Sequence, residues 1–511
     1  MDSGMFDFTP IWNNLALLTR PDVLGLVLLG NLIGLFFGVL PGVSGGQAFI
    51  VLLPLTFGWQ PEVAIWFLMG MLGATSFGGA MSAILINVPG DTQNAATTFD
   101  GYPMTQRGEA TRALGIAATS NILGTILATL VLIALFPAMR TIVLAFGPPE
   151  LFGLAVLGLF MIALAAQGSF LKGLVGGGLG VLLSLIGFSS AMGVSRFTLG
   201  RDYLWDGIQL VALFVGLFAI AQSIDFCVAG STVAKGNASF TGWRNLLVGA
   251  ADVFREWKAL LRSAAIGCFG GMIPGIGATA AAFISYAVAK QFSNKPEMFH
   301  KGNPEGIIAA ETAVNAKEPG GLMPMLAFGI PGSIEAALVL AALILHGIQP
   351  GPFLLRDRPG VVWSIVLALL VANVFGTLLG VFLSNWLAKL TQVRVVYMAP
   401  VMLALCLVGT FSFRGNLWDM FVAIFAGVVG YTLSKAGFSV VTLVIGFLLG
   451  EVAERTFFQS MSISNNDFLS FFRPERPALL IIFGFLFLVI AGAFWRTQQL
   501  KRGARHLAEA A

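Results

Sequence analysis

The sequence predicts an all-α polytopic membrane protein, with about 10–14 transmembrane or re-entrant helices in two inverted repeats whose helices are broken at Pro-Gly pairs. Three observations predict it. The chain is poor in charge, apolar runs recur along most of its length, and its two halves carry the same breaks in the same order.

Of the 511 residues, 57% are hydrophobic and 11% charged, against roughly a quarter charged in soluble domains. Uncharged runs cover residues 23–61, 113–139, 151–170, 359–388 and 477–495. About 20 apolar residues rising 1.5 Å each cross a hydrocarbon core of roughly 30 Å, so each run can span. A formal net charge of +4 is small for this length and gives no footprint for nucleic acid. Cys227, Cys268 and Cys406 lie far apart without metal or redox spacing, and read as small buried apolar residues.

Repetition carries the organisation. Phe37-Gly38-Val39-Leu40-Pro41-Gly42-Val43-Ser44 reads like Gly270-Gly271-Met272-Ile273-Pro274-Gly275-Ile276-Gly277, with the prolines 233 positions apart. Residues 79–90, ending Asn87-Val88-Pro89-Gly90, match residues 321–332, ending Gly329-Ile330-Pro331-Gly332, at an offset of 242. The expected organisation is an N-terminal interfacial segment (1–22), a first membrane repeat (23–229), a cytoplasmic connector (230–262) and a second repeat (263–455). An external loop (456–476), a final transmembrane helix (477–496) and a cytoplasmic tail (497–511) follow. Lys235, Arg244, Arg255, Lys258 and Arg262 place the connector inside, and Arg496, Lys501, Arg502 and Arg505 place the C-terminus there too. Each repeat then crosses an odd number of times, which inverts one against the other. Residues 1–19 carry Asp2 and Asp7 with no early Lys or Arg, unlike a cleaved signal peptide, so the segment is expected to be retained, with a surface helix over 6–18.

The breaks are where chemistry is expected. As one helix, residues 23–61 would be about 58 Å long, more than a bilayer holds, and Pro41-Gly42 is where the helix can break. Broken backbone at membrane depth persists only inside protein or beside a wet cavity. The matched breaks therefore predict a binding site formed by Pro41, Gly42, Ser44, Gly45, Asn87, Pro89, Gly90 and Thr92 from the first repeat. Pro274, Gly275, Gly277, Thr279, Gly329, Pro331, Gly332 and Ser333 complete it from the second. Freed N–H groups and small polar side chains, among them Ser76, Asn94 and Asn315, suit carboxylate oxygens. No Lys or Arg lies inside any of the four breaks, so an anion is expected to be held by dipoles and hydroxyls, and Lys317-Glu318 before Pro319-Gly320-Gly321 reads as a solvated loop. Asp91 and Glu335 beside the breaks, and Glu311 and Asn315 on one helix face, are the candidates for a coupling cation. No nucleophile–base pair, resident metal cluster, cofactor motif or Walker stretch is present, so an enzyme is not expected.

Residues 34–121 and 267–352, through their Leu-Pro-Gly-Val, Asn-Val-Pro-Gly-Asp, Ile-Pro-Gly-Ile-Gly and Gly-Ile-Pro-Gly-Ser segments, resemble the large membrane subunit of the tripartite tricarboxylate transporter family. The likeness extends over residues 21–473. It implies a multi-pass protein of the bacterial inner membrane that works with a small membrane subunit of about four spans and a periplasmic solute-binding protein. It also implies sodium- or proton-coupled uptake of citrate or related carboxylates. The alternatives are a passive anion channel, which would more naturally show a ring of charges, and a transporter for another small organic solute.

Overall fold

Proline opens four of the long helices. In the computed structural model Pro21–Val39, Pro61–Ile86, Pro304–Phe328 and Pro359–Phe382 each carry it in their first turn, where its missing N–H has no intrahelical partner to lose. The structure describes residues 9–40, 45–165, 170–189, 192–229, 242–273, 277–390, 398–473, 476–487 and 490. Pro41, Gly42, Ser44, Pro274, Gly275, much of the connector and the C-terminal tail lie outside the described residues. The described chain is almost entirely helical; the strands among those residues are the short antiparallel pair Gly187–Ser189 and Val194–Arg196. Among the described residues, five helices are long and apolar enough to cross a membrane: Pro21–Val39, Pro61–Ile86, Ala110–Leu144, Pro359–Phe382 and Leu417–Lys435. Seven shorter apolar helices accompany them, among them Gly45–Thr56, Ile334–Leu345 and Pro477–Phe487. The architecture is that of an all-α polytopic membrane protein. The N-terminal helix Thr9–Leu17 docks through Asn14, whose Nδ2 donates to the Gly360 carbonyl at 2.9 Å.

The chain forms two compact units, Met1–Thr141 with Phe214–Tyr431, and Ile142–Leu213 with Thr432–Ala511. In the first, the helices pack through glycine, and the two halves repeat each other residue by residue. A Cβ on Gly34 would lie 2.1 Å from the Met71 carbonyl oxygen, and one on Gly38 2.4 Å from that of Thr75. In the second half a Cβ on Gly267 would lie 2.3 Å from the Ala313 oxygen, and one on Gly271 2.3 Å from that of Lys317. Gly34 and Gly38 are offset from Gly267 and Gly271 by 233 residues, and Met71 and Thr75 from Ala313 and Lys317 by 242. These are the offsets of the Pro-Gly motifs. Glycine here lets two backbones meet at a distance that any side chain would forbid, which is how helices associate where lipid supplies no hydrophobic drive.

The partners of these glycines are the most buried helices. Every residue from Ala64 to Ile86 is buried, and from Glu305 to Ala327 every residue except Glu318. Pro304–Phe328 runs through Pro319 and Pro324 without ending. Pro319 has no N–H for the carbonyl of Asn315, four residues back, and that carbonyl accepts instead from the Thr125 hydroxyl at 3.5 Å.

In the second unit Pro148–Ala165, Phe170–Ser184 and Val440–Ile463 pack together. Gly180 and Gly446 make the closest approaches, and Cβ atoms there would lie 1.9 Å from the Leu443 oxygen and 2.1 Å from that of Gly177. Of the three consecutive glycines at 176–178, Gly176 faces Thr442, while Gly178 faces open space.

Candidate functional site

The second and fourth breaks have one construction. Pro61–Ile86 ends on Asn87 at φ 59°, ψ 22°, and Pro304–Phe328 ends on Gly329 at φ 71°, ψ 20°. Both are left-handed, a region that Gly and Asn enter at least cost, and they are 242 residues apart. A left-handed residue ends a helix by turning its backbone aside, so the chain leaves each helix at the matched place. Pro89-Gly90 and Pro331-Gly332 follow. Gly90 is buried, and a Cβ on it would lie 1.9 Å from the Gly38 oxygen, so only glycine fits. Each break closes on a side-chain cap. Asp91 Oδ1 accepts from the Thr92 N–H at 2.6 Å and from the Thr92 hydroxyl at 3.2 Å, and Ser333 Oγ accepts from the Ala336 N–H at 3.2 Å.

These ends meet at a small polar cavity of about 20 Å³, room for one or two waters. Gly45 and Gly46, just past the first break, line it together with Asp91 of the second and Glu335 of the fourth; Glu318 and Asn315 come from the Pro304–Phe328 helix. The chain after the third break reaches the second: the Thr279 hydroxyl donates to that of Thr92 at 3.2 Å, and Gly277 stands at the start of the helix Ala278–Phe292. Pro331, Gly332 and Gly329 are buried, Pro89 is half-buried, and Asn87 is exposed; Asn87 ends its helix and does not line the cavity.

Behind the cavity wall, bonded to its lining carboxylates Glu318 and Glu335, lies a cation that the sequence reading left out. Lys317 is 1% exposed, and its Nζ donates to Ser333 Oγ at 2.8 Å, Glu318 Oε1 at 3.1 Å and Glu335 Oε2 at 3.2 Å. Lys317-Glu318 is therefore not a solvated loop but part of a buried helix, and an ammonium does reach the fourth break. The helix passes through Pro319-Gly320-Gly321 without ending. By the repeat offset Lys317 and Glu318 correspond to Thr75 and Ser76. The cavity lining offers hydroxyls from Thr75 and Ser76, and the carboxylates Glu318 and Glu335 backed by Lys317. With Asp91, the three carboxylates outnumber the ammonium by two.

Deeper in, Glu311 is fully buried. Its Oε1 accepts from Asn94 Nδ2 at 3.2 Å and from the Thr97 hydroxyl. Asn315 Nδ2 donates to the Glu311 backbone carbonyl at 2.8 Å. Asn315 Oδ1 accepts from Asn373 Nδ2 at 3.1 Å, which also donates to Asn121 Oδ1 at 2.7 Å. Asn121 and Asn373 were not singled out from the sequence; an isolated amide in an apolar span was the available signal. Asp100 was missed too. It is wholly buried and accepts from the Tyr286 hydroxyl at 2.6 Å and from the N–H groups of Gly302 and Asn303 at 2.8 Å each.

Comparison with known proteins follows the same stretch of chain. Residues 24–445 match the model of the tripartite tricarboxylate transporter TctA family. An uncharacterized 52.8 kDa protein in the TAR-I ttuC' 3' region of Agrobacterium vitis is 33% identical over 462 residues, covering 90% of this chain and 91% of its own. A second uncharacterized protein, in the TAR-II ttuC' 3' region of the same organism, is 31% identical over 221 residues, covering 43% of this chain and 91% of its own. No solved structure matches. The family match spans both sets of Pro-Gly breaks and all the residues that build the cavity, and the chain belongs to the tripartite tricarboxylate transporter TctA family.

Proposed function

We propose that this chain is the large membrane subunit of a binding-protein-dependent secondary transporter, which takes up tricarboxylates such as citrate, or related carboxylates, together with cations. The observation that carries the reading is Lys317, buried behind Glu318 and Glu335, which line the cavity. A substrate carboxylate finds its charged partner there by taking the place of Glu335 or Glu318 at the ammonium. Charge balance then requires cations. The cavity already carries more carboxylates than ammonium groups, and a multiply charged anion adds to them. Each negative charge moved against an inside-negative potential also costs about 2.3 kcal/mol per 100 mV. Cations bound at Asp91, and at the carboxylate displaced from Lys317, offset both. Oxygen ligands from carboxylates and unwound backbone suit sodium, and the same carboxylates accept protons.

The paired breaks support alternating access by two inverted repeats in the inner membrane, with the C-terminus inside. The partners are the small membrane subunit of about four spans and the periplasmic solute-binding protein, which captures scarce solute. The test is uptake of labelled citrate into proteoliposomes containing both membrane subunits. Accumulation above the outside concentration is expected only with added binding protein and an inward sodium or proton gradient. High-affinity uptake without the binding protein, or uptake that stops at equal concentrations whatever the gradient, as through a channel, contradicts the reading.

A further inference from the structure

Two wholly buried carboxylates tie the repeats together, and they differ in one respect. Asp100 has a hydrogen-bond donor on each oxygen. Glu311 does not. Its Oε1 takes the Asn94 amide and the Thr97 hydroxyl, while Oε2 is sealed from solvent with no partner. No Lys, Arg or His pairs with Glu311 among the described residues. The oxygens of two adjacent amides, Gln93 Oε1 and Asn94 Oδ1, are also buried and without a partner, and both belong to the turn Thr92–Asn94 that follows the second break. An unpaired carboxylate in such a place is too costly to persist uncompensated, and structural carboxylates avoid the problem as Asp100 does.

We propose that Glu311, with Thr97, Asn94 and Gln93, forms a monovalent-cation site separate from the Lys317 cluster, filled by a sodium ion or a proton. One carboxylate with neutral oxygens and no sulfur or imidazole is the donor set of a hard cation, and the uncommitted lone pairs of Oε2 equally accept a proton. Gln93 lines the cavity and its neighbour Asn94 holds Glu311, so a cation entering the cavity reaches the site within one residue. Occupancy acts across the repeats. Asn94 and Thr97 follow the second break, whereas Glu311 stands on the Pro304–Phe328 helix of the second half. Neutralising Glu311 therefore changes what holds those segments together, and a ligand that favours one arrangement shifts the population toward it.

The inference rests on the cation-coupled reading above, but its test measures binding without transport. The melting temperature of the purified assembly is followed in two series. One raises sodium at constant ionic strength, with choline as the replacement ion, and the other lowers pH without sodium. The wild type is expected to gain stability in at least one series; a sodium response identifies the ion and a pH response the proton. Glu311→Gln should lose that response and melt no lower than wild type in cation-free buffer. Asp357→Asn, in an exposed ion pair with Arg356 away from both sites, should keep it. Asn94→Ala should raise the half-saturating cation concentration about tenfold or more, and it decides the matter if Glu311→Gln does not fold. A Glu311→Gln protein that keeps the wild-type response, a wild type that responds to neither series, or an unshifted Asn94→Ala overturns the site. Loss of uptake with the binding response intact would instead refute the transport reading alone.

Discussion

Lys317 and Asp91 differ in what surrounds them, and the roles proposed for them differ accordingly. Lys317 has three oxygen partners and almost no exposure, so its ammonium is a fixed charge for an anion to find. Asp91 caps a single turn at the cavity wall, and a cation can add to its carboxylate without breaking an ion pair. Asp91→Asn is expected to weaken uptake mainly by altering its sodium or pH dependence. Glu335→Gln should do so less strongly, because Glu318 still meets the lysine. Uptake rates across a series of sodium concentrations and pH values check this, and unchanged cation dependence in both variants and in the double variant would make the two residues structural. Asp91, Glu335, Glu311 and Asn315 were legible in the sequence as polar groups beside breaks or on one helix face. Lys317 was not, because its partners Ser333 and Glu335 lie 16 and 18 residues further on and are brought to it only by the turn at Gly329. Asn94 was legible as a polar neighbour of a break, though not as the residue that holds Glu311.

At the level of single elements, the glycine contacts make a graded prediction. Gly271→Ala would press a Cβ on the Lys317 carbonyl, and it should cost about 1–3 kcal/mol of stability and displace the lysine. Gly178→Ala, in open space, should be neutral or stabilising by up to about 1 kcal/mol through helix propensity. Thermal unfolding of the two variants compares them, and equal effects would contradict the packing account. Asp100→Asn retains the shape but gives up the charge of a group that accepts three hydrogen bonds at the start of the Pro304–Phe328 helix. It should destabilise by about 1–3 kcal/mol while leaving the cation dependence of uptake in place, measured on the same preparations. The breaks themselves were legible, since Pro-Gly in an uncharged run longer than a bilayer admits little else. The helix Pro304–Phe328 was not, because its charges lower its hydropathy below that of a span and its prolines imitate a chain end. Its burial comes from neighbours far away in sequence, which no local pattern records.

For the whole molecule, the repeat seen in the motifs reappears in the backbone: the same two offsets relate the glycines, their partner carbonyls and the left-handed helix ends. That much of the fold was readable because duplication leaves its spacing in the sequence. The division into compact units that each draw on both halves was not, since it depends on which faces of similar apolar helices meet. On the proposed reading the two repeats flank one cavity, and the difference between their contributions, hydroxyls from one and Glu318 and Glu335 backed by Lys317 from the other, gives the anion its place. The measurement closest to this claim is gradient-driven uptake of labelled citrate by the reconstituted assembly with its binding protein, comparing wild type with Lys317→Gln at equal folded protein. The account predicts accumulation by the wild type and a fall of about 10–100-fold in the variant, the loss of one charge-assisted contact; wild-type rates in Lys317→Gln would contradict it.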